Sequence, residues 1–307
     1  MDQLAAMRAF IRVVEAGNFS RASESLGMPK ATVTKLIQGL EAHLRTKLLN
    51  RTTRRVLVTH EGALYYDRAL RLLADLEELD SSLTTSQALP QGRVRVEMSG
   101  ALANLIVIPA LWDFHARFPD IRIDLGVSDR PIDILAENVD CAIRGGTISD
   151  QSLIARRIAE MSFVTCAAPS YVEKFGEPSH PRDLEQDHYT VAYFRAQTGQ
   201  QLPFFFERDG ERLEVNGRYI IAANEAISYV AAGEAGMGVI QAPHLMTRKP
   251  FLDGTLRPVL ADWNRDPMPL FVVFPPNRHL SSKVRAFVDW IADLFAKSGI
   301  DGRQAAV

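Results

Sequence analysis

The chain has 307 residues, of which 47% are hydrophobic and 23% charged, with a formal net charge of −2; this is ordinary for a soluble globular protein of two domains, or three small ones. No stretch approaches the roughly eighteen consecutive apolar residues of a membrane span, and no basic leader precedes an apolar run with a small-residue cleavage site, so a cytoplasmic protein is expected. Cys141 and Cys166 are the only cysteines, each inside an apolar run, which predicts two buried free thiols rather than a disulfide framework.

In chain order, Leu4, Met7, Ile11 and Val14 recur at helical spacing, and Phe10 and Val13 widen the stripe, predicting a first helix with one buried face. The stretch Phe19 to Arg55 then reads as a short helix, a tight turn, a longer helix and a cluster of arginines and threonines. Ser20 is expected to cap the short helix, with Ala22, Ser23 and Leu26 inward; Gly27 supplies the turn, and Pro29 suits the first turn of the next helix. Val33, Leu36, Ile37, Leu40 and Leu44 give that helix a buried face, while Lys30, Thr32, Thr34, Lys35 and Gln38 occupy the other. Apolar residues to dock a helix, with short polar or cationic ones opposite, suit a helix lying in the major groove of duplex DNA.

Two apolar segments, Lys47 to Leu49 and Val56 to Val58, are expected to pair as a small wing. Its tip, Arg51, Thr52, Thr53, Arg54 and Arg55, would touch flanking phosphates or enter the minor groove. Residues 1–60 carry ten Lys/Arg against four Asp/Glu, about +6, which leaves about −8 on the remainder. A basic block on an acidic chain is the footprint of a nucleic-acid module, because neutralising phosphates releases condensed counterions.

Thr59 can cap a helix running to about Thr85, with Glu61 near its positive end. Tyr65, Ala69, Leu72, Leu76, Leu79 and Leu83 alternate spacings of four and three along it, a heptad seam that a helix packed on its own chain would share but that, lying outside both flanking domains, suits a second copy of the chain. Thr84 to Gly92 reads as a hinge. From Arg93 strands alternate with helices: strands over Val94 to Met98, Ile121 to Val127 and Cys141 to Ile143, and helices over Leu105 to Phe118 and near Ile132 to Glu137. A second unit follows, with strands near Phe163 to Ala167, Val191 to Phe194 and Gly238 to Ala242, and then a last strand, Leu270 to Phe274, and a helix, Ser281 to Phe295. This rhythm predicts doubly wound parallel sheets.

The N-terminal segment resembles the winged helix-turn-helix of LysR-type transcriptional regulators. The landmarks in register are Phe10, Gly17 and Phe19, Gly27, the pair Leu40 and Glu41, Arg51, and the run Thr59 to Gly62. Ser23, Pro29, Arg45 and Leu49 depart from the usual alanine, small polar residue, glycine and phenylalanine. The resemblance implies an N-terminal all-α winged helix-turn-helix over 1–59 and a dimerising linker helix and hinge over 60–92. It further implies an α/β two-lobed, periplasmic-binding-protein-like effector domain over 93–300, with lobe I about 93–162 and 267–300 and lobe II about 163–266. Expected partners are double-stranded DNA, a small-molecule effector and further copies of the chain, as homodimer or homotetramer; no cofactor and no metal are expected. Tyr65, Leu72, Leu76, Leu79 and Leu83 are the expected dimer contacts.

Ligands of open α/β sheets bind at strand carboxyl ends, where following helices present amides. Ser99 with Gly100, Arg144 with Gly145 and Gly146, and Asn224 occupy such places. In the resembling family these converge on the cleft between lobes, with Arg144 meeting an anionic group and Ser99 and Asn224 beside it. Phe194 and Phe204 to Phe206 would serve as apolar lining or as buried strand. Enzyme chemistry is not expected: the chain lacks a GxSxG elbow, an HExxH pair, a GKS or GKT phosphate loop and a CxxC pair. Gly233, Gly236 and Gly238 read as a helix end leading into a strand. An architectural DNA binder without an effector is the alternative; the acidic α/β region of roughly 200 residues argues against it.

Overall fold

Every helix of the N-terminal segment begins or ends on a residue chosen for its backbone chemistry. The structure is a computed structural model and describes residues 2–51, 56–84, 90–134, 137, 139–148, 150, 152–276 and 280–300, with side chains omitted for 51, 71, 74, 75 and 77–84. Thr52, Thr53, Arg54 and Arg55, the side chains of Arg51, Leu79 and Leu83, and most of the expected hinge therefore lie outside the described residues. The chain divides into two compact units, residues 1–88 and 89–307.

In the first unit, Asp2 accepts the Ala5 N–H at the start of α1 (Gln3–Ala16), and Gly17 closes it at φ 70°. Asn18 caps α2 (Phe19–Leu26) by accepting the Arg21 N–H at 2.8 Å. Ser20 therefore lies inside the first turn and is not the cap. Pro29, at ψ 140°, precedes α3 (Lys30–Leu44) instead of joining its first turn, and its carbonyl receives the Thr32 and Val33 N–H groups. Ala6, Phe10, Val13, Ala22, Val33, Ile37 and Leu40 meet in one core. Burying each of the large ones contributes about 1.5–3 kcal/mol. Leu4 stays 40% exposed, because a side chain in the first turn leans back past the end of the helix bundle.

The wing is β1 (Leu49–Arg51) antiparallel to β2 (Val56–Val58), in register Leu49↔Val58 and Arg51↔Val56. It starts two residues later than expected, since Leu48 spends its N–H on Glu41 and its carbonyl on the Thr59 N–H. Arg51 thus ends a strand. Thr59 accepts the Gly62 N–H at the start of α4 (His60–Thr84).

The second unit opens with β3 (Gly92–Met98), α5 (Gly100–Leu102), a π turn (Ala103–Val107), α6 (Ile108–Arg117), β4 (Ile121–Val127), β5 (Cys141–Gly145) and β6 (Ile154–Met161). The helix expected near 132–137 falls partly on residues outside the described ones, 135 and 136; of the rest, the Glu137 N–H bonds the Asp133 carbonyl. There follow β7 (Phe163–Ala167), α7 (Pro169–Phe175), α8 (Asp183–Gln186), β8 (Tyr189–Phe194), β9 (Gln201–Leu202), β10 (Phe204–Arg208), β11 (Glu211–Val215) and β12 (Arg218–Ala223). The chain closes with α9 (Ala226–Glu234), β13 (Ile240–Pro243), α10 (His244–Leu252), β14 (Arg257–Pro258), β15 (Met268–Phe274) and α11 (Ser282–Lys297).

Lobe I is a five-stranded sheet in the order β4-β3-β5-β15-β6. β3 runs parallel to β4 and β5, whereas β15 is antiparallel to both neighbours. The purely parallel expectation fails here for a topological reason: β6 leaves for lobe II and β15 returns from it, so the two run in opposite directions. Lobe II holds β12-β8-β9 and β13-β7-β14, linked by the parallel bridge Thr190↔Val239, and it too is mixed. Each lobe has its own core. Phe114, Phe287 and Trp290 pack at 5.0–5.7 Å in lobe I; Tyr171, Leu184, Val191, Phe204 and Phe206 are buried in lobe II. Phe204 and Phe206 are strand core, and Phe205 between them is 40% exposed.

Candidate nucleic-acid interface and regulatory cleft

The two faces of α3 differ as its sequence requires. Val33, Ile37 and Leu40 are fully buried, while Lys30, Thr32, Lys35 and Gln38 are exposed and Thr34 is half-buried. Both ends of the helix-turn-helix close in the same way. The Met28 N–H reaches back to the Ser23 carbonyl after Gly27, and the Thr46 N–H to the Glu41 carbonyl after Arg45. Arg45 makes that turn at φ 52°, a conformation glycine adopts without penalty.

Sequence reasoning noticed Glu41 as a landmark but missed its work. Its buried carboxylate accepts the Leu48 N–H at 3.0 Å, the Leu49 N–H at 3.2 Å and the Lys47 ammonium at 3.0 Å. Burial pushes its pKa up, but the Lys47 and backbone hydrogen bonds outweigh this and hold it below 4.5. The recognition helix is thereby tied to the root of the wing. A second tie is steric: a Cβ on Gly62 would lie 2.1 Å from the Leu48 carbonyl oxygen, so α4 can approach the wing this closely only with glycine there.

The heptad stripe of α4 is split. The Tyr65 ring packs edge-on against Phe10 at 5.6 Å, and Ala69 and Leu73 are buried in the same core. Tyr65 thus packs on the head, half-buried there. Leu72 and Leu64, 51% and 54% exposed, carry the uncovered face, and Leu76 is half-buried.

In the regulatory unit, the strand-end residues fall into two groups. Ser99 caps α5 by accepting the Leu102 N–H. Buried Gly100 faces Glu225 and Ile227, at 3.4 Å each from where a Cβ would stand. Asn224 is exposed and its carbonyl accepts the Tyr193 hydroxyl. These three residues meet at the seam between lobes. Arg144 and Gly145 end β5, the strand beside β3. Arg144 donates to the Arg130 carbonyl at 3.4 Å and lies near Glu97 and Glu137. Burial lowers its pKa, opposed by the two carboxylates, and its buried Nη2 finds no acceptor among the described residues. Burial likewise raises Glu97, against the field of Arg144.

The expected free amides at the start of α9 are taken by the chain's own carboxylates. Asp129 accepts the Ala226 N–H at 2.6 Å and the Tyr193 hydroxyl at 3.1 Å, and Glu225 accepts the Ile227 and Ser228 N–H groups at 2.8 Å. Gln197 adds a bond to the Pro131 carbonyl. Asp129 therefore clasps lobe I to lobe II, and an anion reaching this helix end meets occupied donors. Asp129 lies two residues past the end of β4, one beyond the position that corresponds to Ser99 after β3.

Both cysteines are buried; desolvation lifts the Cys166 thiol to about 12 and raises Cys141 further. Among the described residues no cluster of side chains suits a metal ion, and no helix is long and apolar enough to cross a membrane.

Comparison with known proteins agrees with this architecture. The family profile described as bacterial regulatory helix-turn-helix protein, lysR family, matches residues 4–63, and that of the LysR substrate binding domain matches residues 87–296. An HTH-type transcriptional repressor of Pseudomonas aeruginosa is 37% identical over 300 residues, covering 97% of this chain and 94% of the relative. The solved full-length structure of the Vibrio cholerae virulence activator AphB is 29% identical, with a TM-score of 0.58 over 94% of this chain and 98% of that one. That of the LysR-type regulator CrgA from Neisseria meningitidis is 27% identical, with a TM-score of 0.60 over 95% and 99%. With both profiles matched in order and a helix-turn-helix whose polar face stands clear of its core, the chain belongs to the LysR family of DNA-binding transcriptional regulators.

Proposed function

We propose that the chain grips duplex DNA as a homodimer or homotetramer and changes the arrangement of its DNA heads when a small effector occupies the regulatory unit. In this reading residues 1–59 recognise DNA, 60–92 form the dimerising linker and hinge, and 93–300 respond to the effector. The observation that carries it is α3, whose apolar back is buried while Lys30, Thr32, Lys35 and Gln38 stand exposed on one side. That is the side a major-groove helix turns to phosphates and base edges, with Thr34 beside them and Arg51, Thr52, Thr53 and Arg54 reaching the flanking backbone. Exposed Leu72, continued by Leu76, Leu79 and Leu83, supports pairing with a second α4. Pairing places two recognition helices on two half-sites of a near-palindrome.

An effector entering beside Ser99, Gly100 and Asn224 must part the Asp129 clasp. Two hydrogen bonds to a carboxylate are worth roughly 3–6 kcal/mol together. A ligand shifts the lobes only by its differential affinity for the open and clasped arrangements. Arg144 and Gly145 would accept an anionic group once the lobes separate, the unpartnered Arg144 nitrogen being the donor. The cytoplasm, where the chain meets DNA, is the proposed location, and the regulator relatives give no reason to assign an enzyme activity.

The test is the salt dependence of binding to a duplex carrying the operator. Lys35→Ala is expected to weaken binding and lower the slope of log affinity against log salt by about one. A slope equal to that of the unaltered protein would sink the phosphate role of α3.

A further inference from the structure

The two chain segments that join the lobes pass one guanidinium. Phe163 begins β7 just after β6 leaves lobe I, and Arg265 lies three residues before β15 returns. The Arg265 guanidinium stacks 3.7 Å from the centre of the Phe163 ring, with the Phe205 ring at 5.5 Å. Its only hydrogen bond among the described residues goes from Nη1 to Gln241 Oε1 at 3.2 Å.

Gln241 orients this arginine without neutralising it. Its Oε1 also accepts the Phe205 N–H, its Nε2 donates to the Phe205 carbonyl and Thr165 Oγ1, and its backbone N–H donates to the Tyr229 hydroxyl. The network is saturated and neutral, so it fixes the plane of the guanidinium and leaves its charge unmet. Desolvation lowers the Arg265 pKa to about 10, so the group stays cationic near neutral pH.

Arg265 also lines a groove of about 440 Å³ between the β10–β11 hairpin and the returning segment, with Phe205, Leu213, Glu207, Glu214 and Asp266. Arg212 pairs with Glu207 at 3.0 Å and with Asp266 at 3.5 Å, so these two acids of the groove are already partnered. Glu214 faces solvent opposite Phe205 and is screened there. Arg265 is left without an ion pair among the described residues, beside a half-exposed phenyl face.

We propose that Arg265 heads a binding site for a small planar carboxylate, its oxygens on the guanidinium edge and its flat body against Phe205 and Leu213. Occupancy of such a site acts on both strands that join the lobes, which places it where a ligand can bias their angle. The site is separate from the Asp129 seam and does not depend on the DNA-binding reading.

The test is isothermal titration calorimetry of the full chain with sodium benzoate, ionic strength being held constant with sodium chloride. Benzoate is expected to bind the unaltered protein, benzyl alcohol at least about tenfold more weakly, and the Arg265→Gln variant about tenfold or more weaker than the unaltered protein. Arg265→Lys should fall between, since a point charge cannot hold both carboxylate oxygens. Phe205→Ala removes an exposed ring, leaves the fold intact by circular dichroism, and should weaken benzoate several-fold. Absence of benzoate heat with the unaltered protein, equal affinity for benzyl alcohol, or full affinity in Phe205→Ala overturns the proposal. So does full affinity in folded Arg265→Gln; should that variant not fold, Arg265→Lys and Phe205→Ala decide. Lys35→Ala is expected to bind benzoate normally, which separates this outcome from the fate of the DNA-binding reading.

Discussion

Removing the Glu41 carboxylate should loosen the head while leaving the regulatory unit untouched. Glu41→Ala strips two amides, those of Leu48 and Leu49, of their acceptor, in a place where both residues are 1–2% exposed. Each stranded donor costs about 1–3 kcal/mol, so the loss is expected near 3 kcal/mol. Glu41→Gln keeps an oxygen for the amides and loses the Lys47 pair. Lys47 is 73% exposed, so solvent screening limits that part, and about 1 kcal/mol is expected in all. The sign of the pH effect follows from the folded pKa lying below 4.5. The carboxylate stabilises the fold above that value, and the contribution is lost as pH falls through the folded pKa, so the gap between Glu41 and Gln should close in acid. Hydrogen exchange of the full chain, read by mass spectrometry, reports the head and the regulatory unit separately. At pH 7, Glu41→Ala should speed exchange of peptides within 33–49 by about a hundredfold, with peptides beyond 93 unchanged. An acceleration below about threefold would refute the clamp, because ~3 kcal/mol cannot leave exchange unmoved.

Arg45→Gly relieves a left-handed residue at φ 52° and should stabilise the head by about 1 kcal/mol in the same exchange measurement; a loss would mean the arginine side chain outweighs its backbone strain. Gly62→Ala sets a methyl against the Leu48 carbonyl and should cost more than about 2 kcal/mol, with DNA binding lost alongside. Tyr193→Phe removes one bond of the lobe clasp and should raise protease sensitivity at the seam at a cost of about 1 kcal/mol; unchanged sensitivity would mean that the Ala226 N–H alone holds Asp129. The thiols of Cys141 and Cys166, buried and shifted upward, should resist alkylation at pH 8 until the protein is unfolded; rapid labelling of either would contradict their burial.

Legibility of the sequence followed the range of each interaction. Periodicity found α3 and its two faces because residues three and four apart share a face whatever surrounds them. Local chemistry was misjudged where two residues competed: Ser20 and Asn18 can both cap, and the cap went to Asn18, which stands one residue before the helix. Tyr65 fitted a heptad seam, yet its neighbour is Phe10 on another helix, which spacing along α4 cannot reveal. The strand-end rule led to Ser99 and Asn224 and stopped short of Asp129, which makes the bonds between lobes. Arg265 sits alone in an irregular segment, and its stacking on Phe163, about a hundred residues earlier, leaves no pattern in the chain to read.

The central claim concerns paired recognition helices on duplex DNA, and footprinting the full-length protein on the DNA flanking its own coding sequence tests it most directly. Two protected major-groove segments on one face of the duplex, about one helical turn or a multiple apart, are the expected result, with protection lost in Lys35→Ala as salt rises. Uniform protection without preferred segments, or none at low salt, would contradict it.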